Sequence, residues 1–437
     1  MFTVESERRR TNPDYEIYIP AAEELHLHDG ENELVKILQC KDKLKAFWIQ
    51  GSAEGHPDTR YVSAESTDGG KTWSKPRLLL GGDHDPETGK RRICGGFPIR
   101  NAKGRIYFFI NRSTGVQDPV ENGEFVIYTS DDDGETLENE TVITYPKCAK
   151  IDNDDPSIPP AWTPFTAPIR LKSGRYVGGC THWWSLTKSK DREYWDWSLA
   201  ESSVDMYYID NLDDNPLPKD IVFNWDNAGL KGLVARHATH PRYFIAQEPS
   251  VIELPDGRLM VVFRTSAGSP FYAISEDQGT SWGPTKRLLY ADGENPILHP
   301  RSPCPIWEIG PKGSGEYLLI IHNHDGLFGP WRPYDTSQHR RPLFALRGRF
   351  VPGADQPLEF SEPMLLMDNN GIRWGHGTQK IADIAVYGDL TCDGDKVTLW
   401  YADRKHFLLG KNIDMDVFRN MRFKGIEGEQ LFHPTFP

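Results

Sequence analysis

Two side chains in the second half of the sequence have the chemical types needed for proton transfer and nucleophilic attack. Glu248 lies in AQEPSVIELPDGR and Tyr387 lies in AVYGDLTCDGDK, each a similar distance ahead of an Asp-Gly turn. A carboxylate beside a phenol can accept its proton, which makes tyrosine a nucleophile despite its ordinary pKa of about 10. This chemistry requires the fold to bring two distant segments together. Whether Glu248 and Tyr387 meet therefore depends on the secondary-structure elements in which they lie.

The sequence repeats one short turn motif three times. Its form is Ser-x-Asp-x-Gly-x-Thr-Trp, in which the aspartate caps backbone N–H groups, the glycine supplies a positive φ and the final aromatic residue packs back on a sheet. Three copies with the same internal spacing indicate a repeated β-hairpin unit. The copies are STDGGKTW at 66–73, SDDDGETL at 130–137 and SEDQGTSW at 275–282.

A second repeat has a polar turn followed by an apolar segment that ends in polar groups. Six such segments share the 437 residues, about 73 residues each, which leaves room for a four-stranded antiparallel sheet per unit. The segments are DKLKAFWIQ from Asp42, GRIYFFINR from Gly104, GRYVGGCTHW from Gly174, GRLMVVFRT from Gly257, GEYLLIIHNH from Gly315 and DKVTLWYADR from Asp395.

These repeats predict an all-β fold, a six-bladed β-propeller of four-stranded antiparallel blades. Strands with both faces buried are expected where sheets stack face to face around an axis. A pair of β-sandwiches also has many short strands, but sandwiches do not need an equal period along the chain. We expect residues 1–437 to form one propeller domain, with residues 1–30 as an N-terminal extension that closes or flanks it.

In a propeller, side chains at the mouth ends of the axial strands of all blades meet in one central pocket. The six apolar segments end in residues that form hydrogen bonds, and Arg264 directly follows the apolar run VVF. We take these segments as the axial strands. We therefore expect Gln50, His182, Arg264 and His322 to contribute to a polar substrate-binding ring.

Composition argues against several classes of partner. The 50 Lys and Arg residues against 63 Asp and Glu residues give a net charge of -13, which disfavours nucleic acid. No stretch approaches the roughly 18 apolar residues of a membrane span, so no membrane partner is expected. The start MFTVESERRRT lacks the apolar core of a signal peptide, which predicts a cytoplasmic protein, or a secreted or periplasmic one if a leader has been removed. The cysteines are scattered, and we expect no metal and no cofactor.

The repeated turns are similar to the Asp boxes of the sialidase (neuraminidase) superfamily. The segment EPSVIELPDGRLMVVFR resembles that family's fourth-blade segment, which carries a Glu and then an Arg at its far end, and the resemblance runs from about Asn32 to Phe407. It implies a sialidase-like propeller and a retaining exo-glycoside hydrolase that removes a terminal sialic acid or related acidic sugar through a covalent tyrosine intermediate. A glycan or oligosaccharide is then the expected partner.

The resemblance also implies roles for individual residues. It makes Tyr387 the nucleophile and Glu248 the base that activates it. Asp58, which precedes the first Asp box, stands where the family keeps its general acid/base carboxylate on a first-blade loop.

The arginines are where this sequence departs from the family. Arg264 matches one member of the triad that binds a sialic acid carboxylate, and Arg341 is expected as another, with Arg340 as the alternative. The family's first blade opens with Arg-Ile-Pro, whereas the corresponding stretch here is NELVKILQ, with Glu33 or Lys36 in place of the arginine. A Glu at that place would repel a carboxylate, so the sequence leaves the sugar open.

Two other functions therefore stay open. An enzyme of the same class would act on a different sugar, neutral or uronic, with His182, His322 or His324 in the chemistry, because histidine transfers protons near neutral pH. A non-catalytic propeller would bind a glycan or a protein and would use Tyr387 and Glu248 only structurally.

Overall fold

The chain forms a six-bladed β-propeller, as predicted. The computed structural model describes residues 2–20, 29–188, 201–225, 232–236, 244–323, 340–374 and 384–423. Its six antiparallel sheets each contain a path of four hydrogen-bonded strands, and two of them carry one extra strand. The helices within the described ranges are short, and none is long and apolar enough to cross a membrane. They are Val4–Glu7, Leu212–Asp214, Pro218–Asp220 and Met415–Arg419.

Each blade has the same order of strands from the axis outward. The innermost strands of blades 1 to 6 are Glu31–Gln39, Ile93–Arg100, Ala161–Thr163, Ala246–Glu253, Ile306–Glu308 and Ile384–Asp393. The second strands are Leu44–Gly51, Ile106–Gln117, Tyr176–Trp183, Leu259–Thr265, Glu316–His322 and Lys396–Asp403.

The outer half of each blade completes the sheet. The third strands are Arg60–Ser66, Glu121–Ser130, Ser202–Ile209, Phe271–Ser275, Leu343–Phe350 and Phe407–Ile413. The fourth strands are Arg77–Leu80, Glu138–Ile143, Phe223–Trp225, Lys286–Arg287, Leu358–Phe360 and, for blade 6, Tyr15–Tyr18. The extra strands are Ile169–Arg170 in blade 3 and Met364–Met367 in blade 5.

The six apolar repeats form the second strands of the blades, and not the axial strands as the sequence had suggested. Their continuous apolar character follows from this position, because alternate side chains enter the two cores on either side of the blade. In blade 5, Leu319 and Ile321 pack into the core shared with blade 4. Leu318 and Ile320 pack into the core shared with blade 6. The second strand is thus the most buried element of the blade, whereas the strand before it faces the axis.

The Asp boxes join the third and fourth strands of blades 1, 2 and 4. In the first copy, Ser66 Oγ accepts a hydrogen bond from the Gly70 amide and donates one to Asp68. The Asp68 carboxylate also accepts hydrogen bonds from the amide and the hydroxyl of Thr72. The aspartates at 132 and 277 repeat this pattern. Trp73, the last residue of the first copy, packs edge to face on Trp400 of blade 6 with ring centroids 5.7 Å apart. The motif therefore fixes a hairpin and also a contact between blades.

The N-terminal segment closes the ring. Strand Tyr15–Tyr18 pairs antiparallel with Phe407–Ile413, so residues from both ends of the described chain share blade 6. Ahead of this strand, the buried Glu7 carboxylate accepts a hydrogen bond from Arg404 Nη1 at 2.9 Å, and Arg404 Nη2 donates to Asp403 Oδ2 at 2.7 Å. Both side chains of the Glu7–Arg404 pair are fully buried, so each charge depends on its partner.

We expect Glu7→Gln to lower the free energy of unfolding by about 3 kcal/mol at pH 7, because it removes one of the two carboxylates that pair with the buried Arg404. Burial raises the pKa of Glu7, but hydrogen bonds from Arg10 and Arg404 outweigh it and lower that pKa to about 2. The contribution of Glu7 is therefore complete above about pH 4.5 and is lost as the pH falls towards 2.

Urea unfolding of wild type and Glu7→Gln between pH 7 and pH 2.5 measures this effect. The two stability curves should converge as the pH falls. Glu5→Gln is the control, since the Glu5 side chain is 60% exposed and its removal should cost less than about 0.5 kcal/mol. A gap between wild type and Glu7→Gln that does not change with pH would contradict the assignment.

Candidate active site

Tyr387 and Glu248 meet on the propeller axis. Tyr387 lies on the innermost strand of blade 6 and Glu248 on that of blade 4. The Tyr387 hydroxyl donates a hydrogen bond to Glu248 Oε1 at 2.8 Å. The Glu248 side chain is 3% exposed, so the contact is shielded from water. The fold thus brings this phenol and this carboxylate within direct proton-transfer distance.

Arg264 is tied to the same pair. Its Nη1 lies 2.8 Å from Glu248 Oε1 and donates a hydrogen bond to the Tyr387 hydroxyl at 3.1 Å. Its Nε and Nη2 both donate to Gln247 Oε1, at 3.0 and 2.7 Å. All three guanidinium nitrogens therefore have acceptors inside the protein, which orients Arg264 rigidly towards Tyr387 and Glu248.

Two β-bulges aim these side chains at the axis. The pairing of blade 4 shifts register between Gln247 and Ser250, and Glu248 has a positive φ of 56° ahead of a proline. Its amide donates to the buried Thr181 Oγ1 at 2.9 Å, which holds this conformation. In blade 6 the register shifts around Tyr387 in the same way. Bulges re-aim side chains next to functional sites, and a non-glycine residue at positive φ costs on the order of 1 kcal/mol.

The pKa of the Tyr387 hydroxyl lies above its ordinary value. Burial raises the pKa of its hydroxyl, and the nearby cations Arg264, Arg340 and Lys405 offset that shift only in part. Glu248 is positioned to take the proton through Oε1. Its other oxygen, Oε2, is buried and has no hydrogen-bond partner among the described residues, so it can accept a bond from a ligand or a water molecule.

Tyr387 and Glu248 line a cavity of about 200 Å³ on the propeller axis. Phe165 lines the same cavity and stacks on Tyr387 with ring centroids 5.7 Å apart. The volume is below the roughly 300–1,000 Å³ of most small-molecule sites, so the described part of the cavity suits a single ring. Other apolar residues of its wall are Leu38, Pro303, Ile306 and Trp307.

Lys405 is a component of the site that sequence reasoning missed. Its ammonium lies 5.5 Å from the centre of the Tyr387 ring. It forms ion pairs with Glu33 at 3.1 Å and with Glu54 at 2.5 Å. Glu33 is one of the two residues expected where the family has its first-blade arginine. The available signal was the polar end of the last apolar segment, DKVTLWYADR, which Lys405 directly follows.

Gln50 and His322 have structural contacts, which corrects their assignment as substrate-binding residues. Gln50 is buried, and its amide donates to Asn32 Oδ1 at 3.0 Å and accepts from Arg60 at 2.8 Å. His322 is fully buried between Ser302 Oγ at 2.9 Å and the Ile384 carbonyl at 2.9 Å. Both lie at the ends of second strands, which explains why neighbouring strands cover them.

His182 is also corrected to a structural role. It is fully buried, and its two ring nitrogens lie 2.7 Å from Asp205 Oδ2 and 2.8 Å from Asp152 Oδ1. The ring stacks on Trp162 at a centroid distance of 4.3 Å. Burial alone would lower the pKa of His182, but the two carboxylates outweigh burial and raise it to about 9. The imidazolium therefore serves as a buried cation between two anions. His324 lies outside the described residues.

Asp58 lies on the loop between the second and third strands of blade 1, and nothing in the described contacts joins it to Tyr387. Its carboxylate accepts hydrogen bonds from the Ser52 amide at 3.0 Å and contacts His56 Nδ1 at 2.6 Å. The same loop carries Glu54, which reaches Lys405 beside Tyr387. The loop as a whole therefore extends to the site.

The neighbouring residues Arg340 and Arg341 have different surroundings. Arg341, the expected member of the carboxylate-binding set, donates through Nε and Nη2 to both oxygens of Asp368, at 2.8 and 2.6 Å. Its planar fork is therefore engaged by a protein carboxylate. Arg340 is buried, its carbonyl accepts a hydrogen bond from the Ile384 amide, and its charge acts to lower the pKa of Tyr387.

In the parts of the chain that the structure describes, no group of three or more His, Cys, Asp or Glu side chains has a geometry that could hold a metal ion. The described cysteines form no disulfide bond.

This fold and its axial site define the class of protein. Residues 42–343 match the BNR repeat-like domain family, and the chain therefore belongs to that family. The Asp boxes described above are the repeated turn motif of this family, and the propeller has the sialidase fold. No curated protein matches the chain in sequence.

Solved structures with the same fold include two sialidases and one arabinanase. The Hadza microbial sialidase Hz136 is 16% identical with a TM-score of 0.57, over 89% of this chain and 67% of that chain. The intramolecular trans-sialidase from Ruminococcus gnavus, in complex with oseltamivir carboxylate, is 13% identical with a TM-score of 0.56, over 92% and 97%. The Penicillium chrysogenum alpha-L-arabinanase, complexed with arabinobiose, is 16% identical with a TM-score of 0.52, over 93% and 99%. At these identities the likeness shows the fold alone.

We expect His182→Gln to destabilise the protein without changing substrate affinity. The raised pKa of His182 means that its charge stabilises the fold fully below about pH 6.5, and that this contribution is lost as the pH rises through 9. The difference in unfolding free energy between wild type and variant should be about 3 kcal/mol at pH 6 and should shrink towards pH 9.

Urea unfolding at pH 6, 7.5 and 9 measures that difference, with His84→Gln on an outer turn as the control. If KM for a cleaved glycoside rose in the folded His182→Gln protein, the structural assignment would be wrong.

Proposed function

We propose that this protein is a retaining exo-glycoside hydrolase of the sialidase type, which acts on a glycan with Tyr387 as nucleophile and Glu248 as its base. The observation that carries the proposal is the 2.8 Å hydrogen bond from the Tyr387 hydroxyl to Glu248 Oε1 on the propeller axis. A structural tyrosine needs neither two bulged strands nor a carboxylate with a spare buried oxygen. Likeness of fold to solved sialidases and to an arabinanase supports a carbohydrate substrate.

The proposed reaction has two displacements at the anomeric carbon. In the first, the phenol oxygen of Tyr387 bonds to this carbon while its proton passes to Glu248 Oε1. The bond from the carbon to the leaving oxygen breaks, and Asp58 protonates that oxygen. In the second, Asp58 takes a proton from water, the water oxygen displaces the tyrosine, and Glu248 returns the proton to the phenolate. Both steps invert the centre, so the product keeps the anomeric configuration of the substrate.

Arg264 supports the first displacement. Negative charge develops on the tyrosine oxygen when the carboxylate takes its proton, and Arg264 Nη1 lies 3.1 Å from that oxygen. A fixed cation at this distance in a water-excluded site stabilises charge with little reorganisation. Arg340 and Lys405 act in the same direction, since both lower the pKa of Tyr387.

Tyr387→Phe is expected to lower kcat on a cleaved aryl glycoside by about 10³-fold or more, because it removes the nucleophilic oxygen. Glu248→Gln is expected to lower kcat by about 10²–10⁴-fold, the range for loss of a general base. Tyr107→Phe is the matched control, since it also removes a buried tyrosine hydroxyl, one that donates to the Pro216 carbonyl instead of Glu248.

The screen uses fluorogenic sialosides beside a panel of other aryl glycosides. Trapping with a fluorosugar and mass spectrometry of the peptide that contains Tyr387 identifies the intermediate. Full activity of Tyr387→Phe, or a label on another residue, would sink the mechanism. Measurable glycan binding without turnover on any glycoside would instead indicate a non-catalytic propeller.

Asp58 and Glu54 lie on the same loop, and a comparison of variants at these two residues identifies the general acid. We expect Asp58→Asn to lose about 10²–10⁴-fold on substrates with poor leaving groups and far less on activated aryl glycosides, because activated groups leave without a proton. Glu54→Gln, on the same loop, should show no such dependence, since Glu54 pairs with Lys405. The reverse pattern, measured as kcat against the pKa of the leaving group, would move the role of acid to Glu54.

A further inference from the structure

The charged side chains around Tyr387 form a balanced set. The cations and carboxylates that face Tyr387 or one another are Arg264, Arg340, Lys405, Glu33, Glu54 and Glu248. Among the described residues this set holds three positive and three negative groups. Burial and the neighbouring carboxylates raise the pKa of Glu31 well above its usual value, and burial also raises the pKa of Glu33. The site therefore has no surplus positive charge for an anionic ligand.

Lys405 lies in a strained backbone turn, which costs conformational free energy. Arg404 and Lys405 are consecutive non-glycine residues with φ of 56° and 52°, a turn that costs on the order of 1 kcal/mol for each residue. The buried contacts of Arg404 with Glu7 and Asp403 hold the turn. The Lys405 carbonyl accepts a hydrogen bond from the Asn32 amide at 2.7 Å, next to Glu33 in sequence. The turn therefore locks Lys405 against the first strand of blade 1, where Glu33 lies.

Two arginines of this region, Arg264 and Arg341, give their planar forks to protein acceptors. Arg264 uses Nε and Nη2 on Gln247 and Nη1 on Tyr387 and Glu248. Arg341 gives its fork to Asp368. Bidentate pairing is what makes arginine effective at binding a carboxylate, and a guest carboxylate would have to displace these acceptors.

From these observations we propose that the glycon bound beside Tyr387 carries no carboxylate at its anomeric carbon, and that the Lys405–Glu33 ion pair is the element that selects it. The inference rests on the proposed function, because it assumes that a sugar reacts at Tyr387. It departs from the sialic acid expected by resemblance, since a fourth negative charge would enter a buried, balanced set.

The ion pair suits hydroxyl groups. Both Lys405 and Glu33 have side chains that are 9% exposed, so each retains a small accessible surface beside its partner. An ammonium can donate to a hydroxyl oxygen, and a carboxylate can accept from the hydroxyl proton, both as charge-assisted hydrogen bonds. A neutral, hydroxyl-rich aldose fits this pair without any change in its net charge.

A matched pair of ligands tests the proposal directly. The probes are 2,3-didehydro-2-deoxy-N-acetylneuraminic acid and its methyl ester, which differ in the charge of one group, and the measurement is the dissociation constant of each by calorimetry. Wild type should not prefer the acid. Glu33→Gln removes one negative charge with little change in shape, and should raise affinity for the acid relative to the ester by at least about tenfold.

Two further proteins complete the comparison. Glu359→Gln is the control, since Glu359 pairs with Arg349 on an outer strand and its loss should leave the ratio unchanged. Lys405→Met should weaken binding of the acid further, and Lys405→Arg, which keeps the charge, covers the case in which the methionine variant does not fold.

The outcomes separate this inference from the proposed function. A wild-type preference of tenfold or more for the acid, or a folded Glu33→Gln protein that gains no affinity for it, overturns the role of the ion pair. Faster hydrolysis of sialosides than of every neutral glycoside overturns it as well, yet leaves the tyrosine mechanism standing. Full activity of Tyr387→Phe would instead defeat the mechanism while the ligand preference remained measurable.

Discussion

The rest of the structure depends on the closure of the ring. A propeller is a circle of sheets, and its first and last blades must be joined before the axis can hold a defined site. Here strand Tyr15–Tyr18 completes blade 6, and the buried Glu7–Arg404–Asp403 contacts lock the segment ahead of it. The residue after Arg404 is Lys405, which stands beside the Tyr387 ring. The contact that closes the fold therefore also positions a charged group of the candidate site, and stability and function share one turn.

The two inner strands of each blade have different tasks. The second strands are regular, apolar on both faces and buried between neighbouring blades, so they supply most of the core. The innermost strands of blades 1, 4 and 6 are interrupted by bulges near their first residues. An interrupted ladder loses regular pairing but turns side chains towards the axis. Glu33, Glu248 and Tyr387 all lie at such interruptions. The irregular innermost strands therefore position the side chains of the candidate site, and the regular second strands hold these bulged strands in place.

Arg264 and Lys405 differ from the cations of a simple anion-binding site, because protein carboxylates neutralise their charge. The chain has a net charge of -13, and a cluster of arginines on the axis would have been a local exception suited to an anionic sugar. The structure instead pairs two cations of the site with protein acceptors: Arg264 with Glu248 and Gln247, and Lys405 with Glu33 and Glu54. Buried charges of this kind are tolerated only when paired, and pairing removes the surplus charge that would attract a carboxylate. The tyrosine–carboxylate contact belongs to that balance, because Glu248 both accepts from Tyr387 and pairs with Arg264.

The six-bladed architecture follows from patterns in the amino-acid sequence. Three Asp boxes and six apolar segments predict six blades, because turn chemistry and burial on both faces are local properties. The sequence also singled out Tyr387 and Glu248, since their segments precede equivalent turns. It could not assign the apolar segments to their layer, and for that reason Gln50, His182 and His322 were expected on the axis and lie in the core. The tertiary structure alone sets the different contacts of Arg340 and Arg341 and places Lys405 against Glu33. These placements follow from contacts between residues hundreds of positions apart, as between Glu33 and Lys405, and no local pattern encodes a distance across the axis.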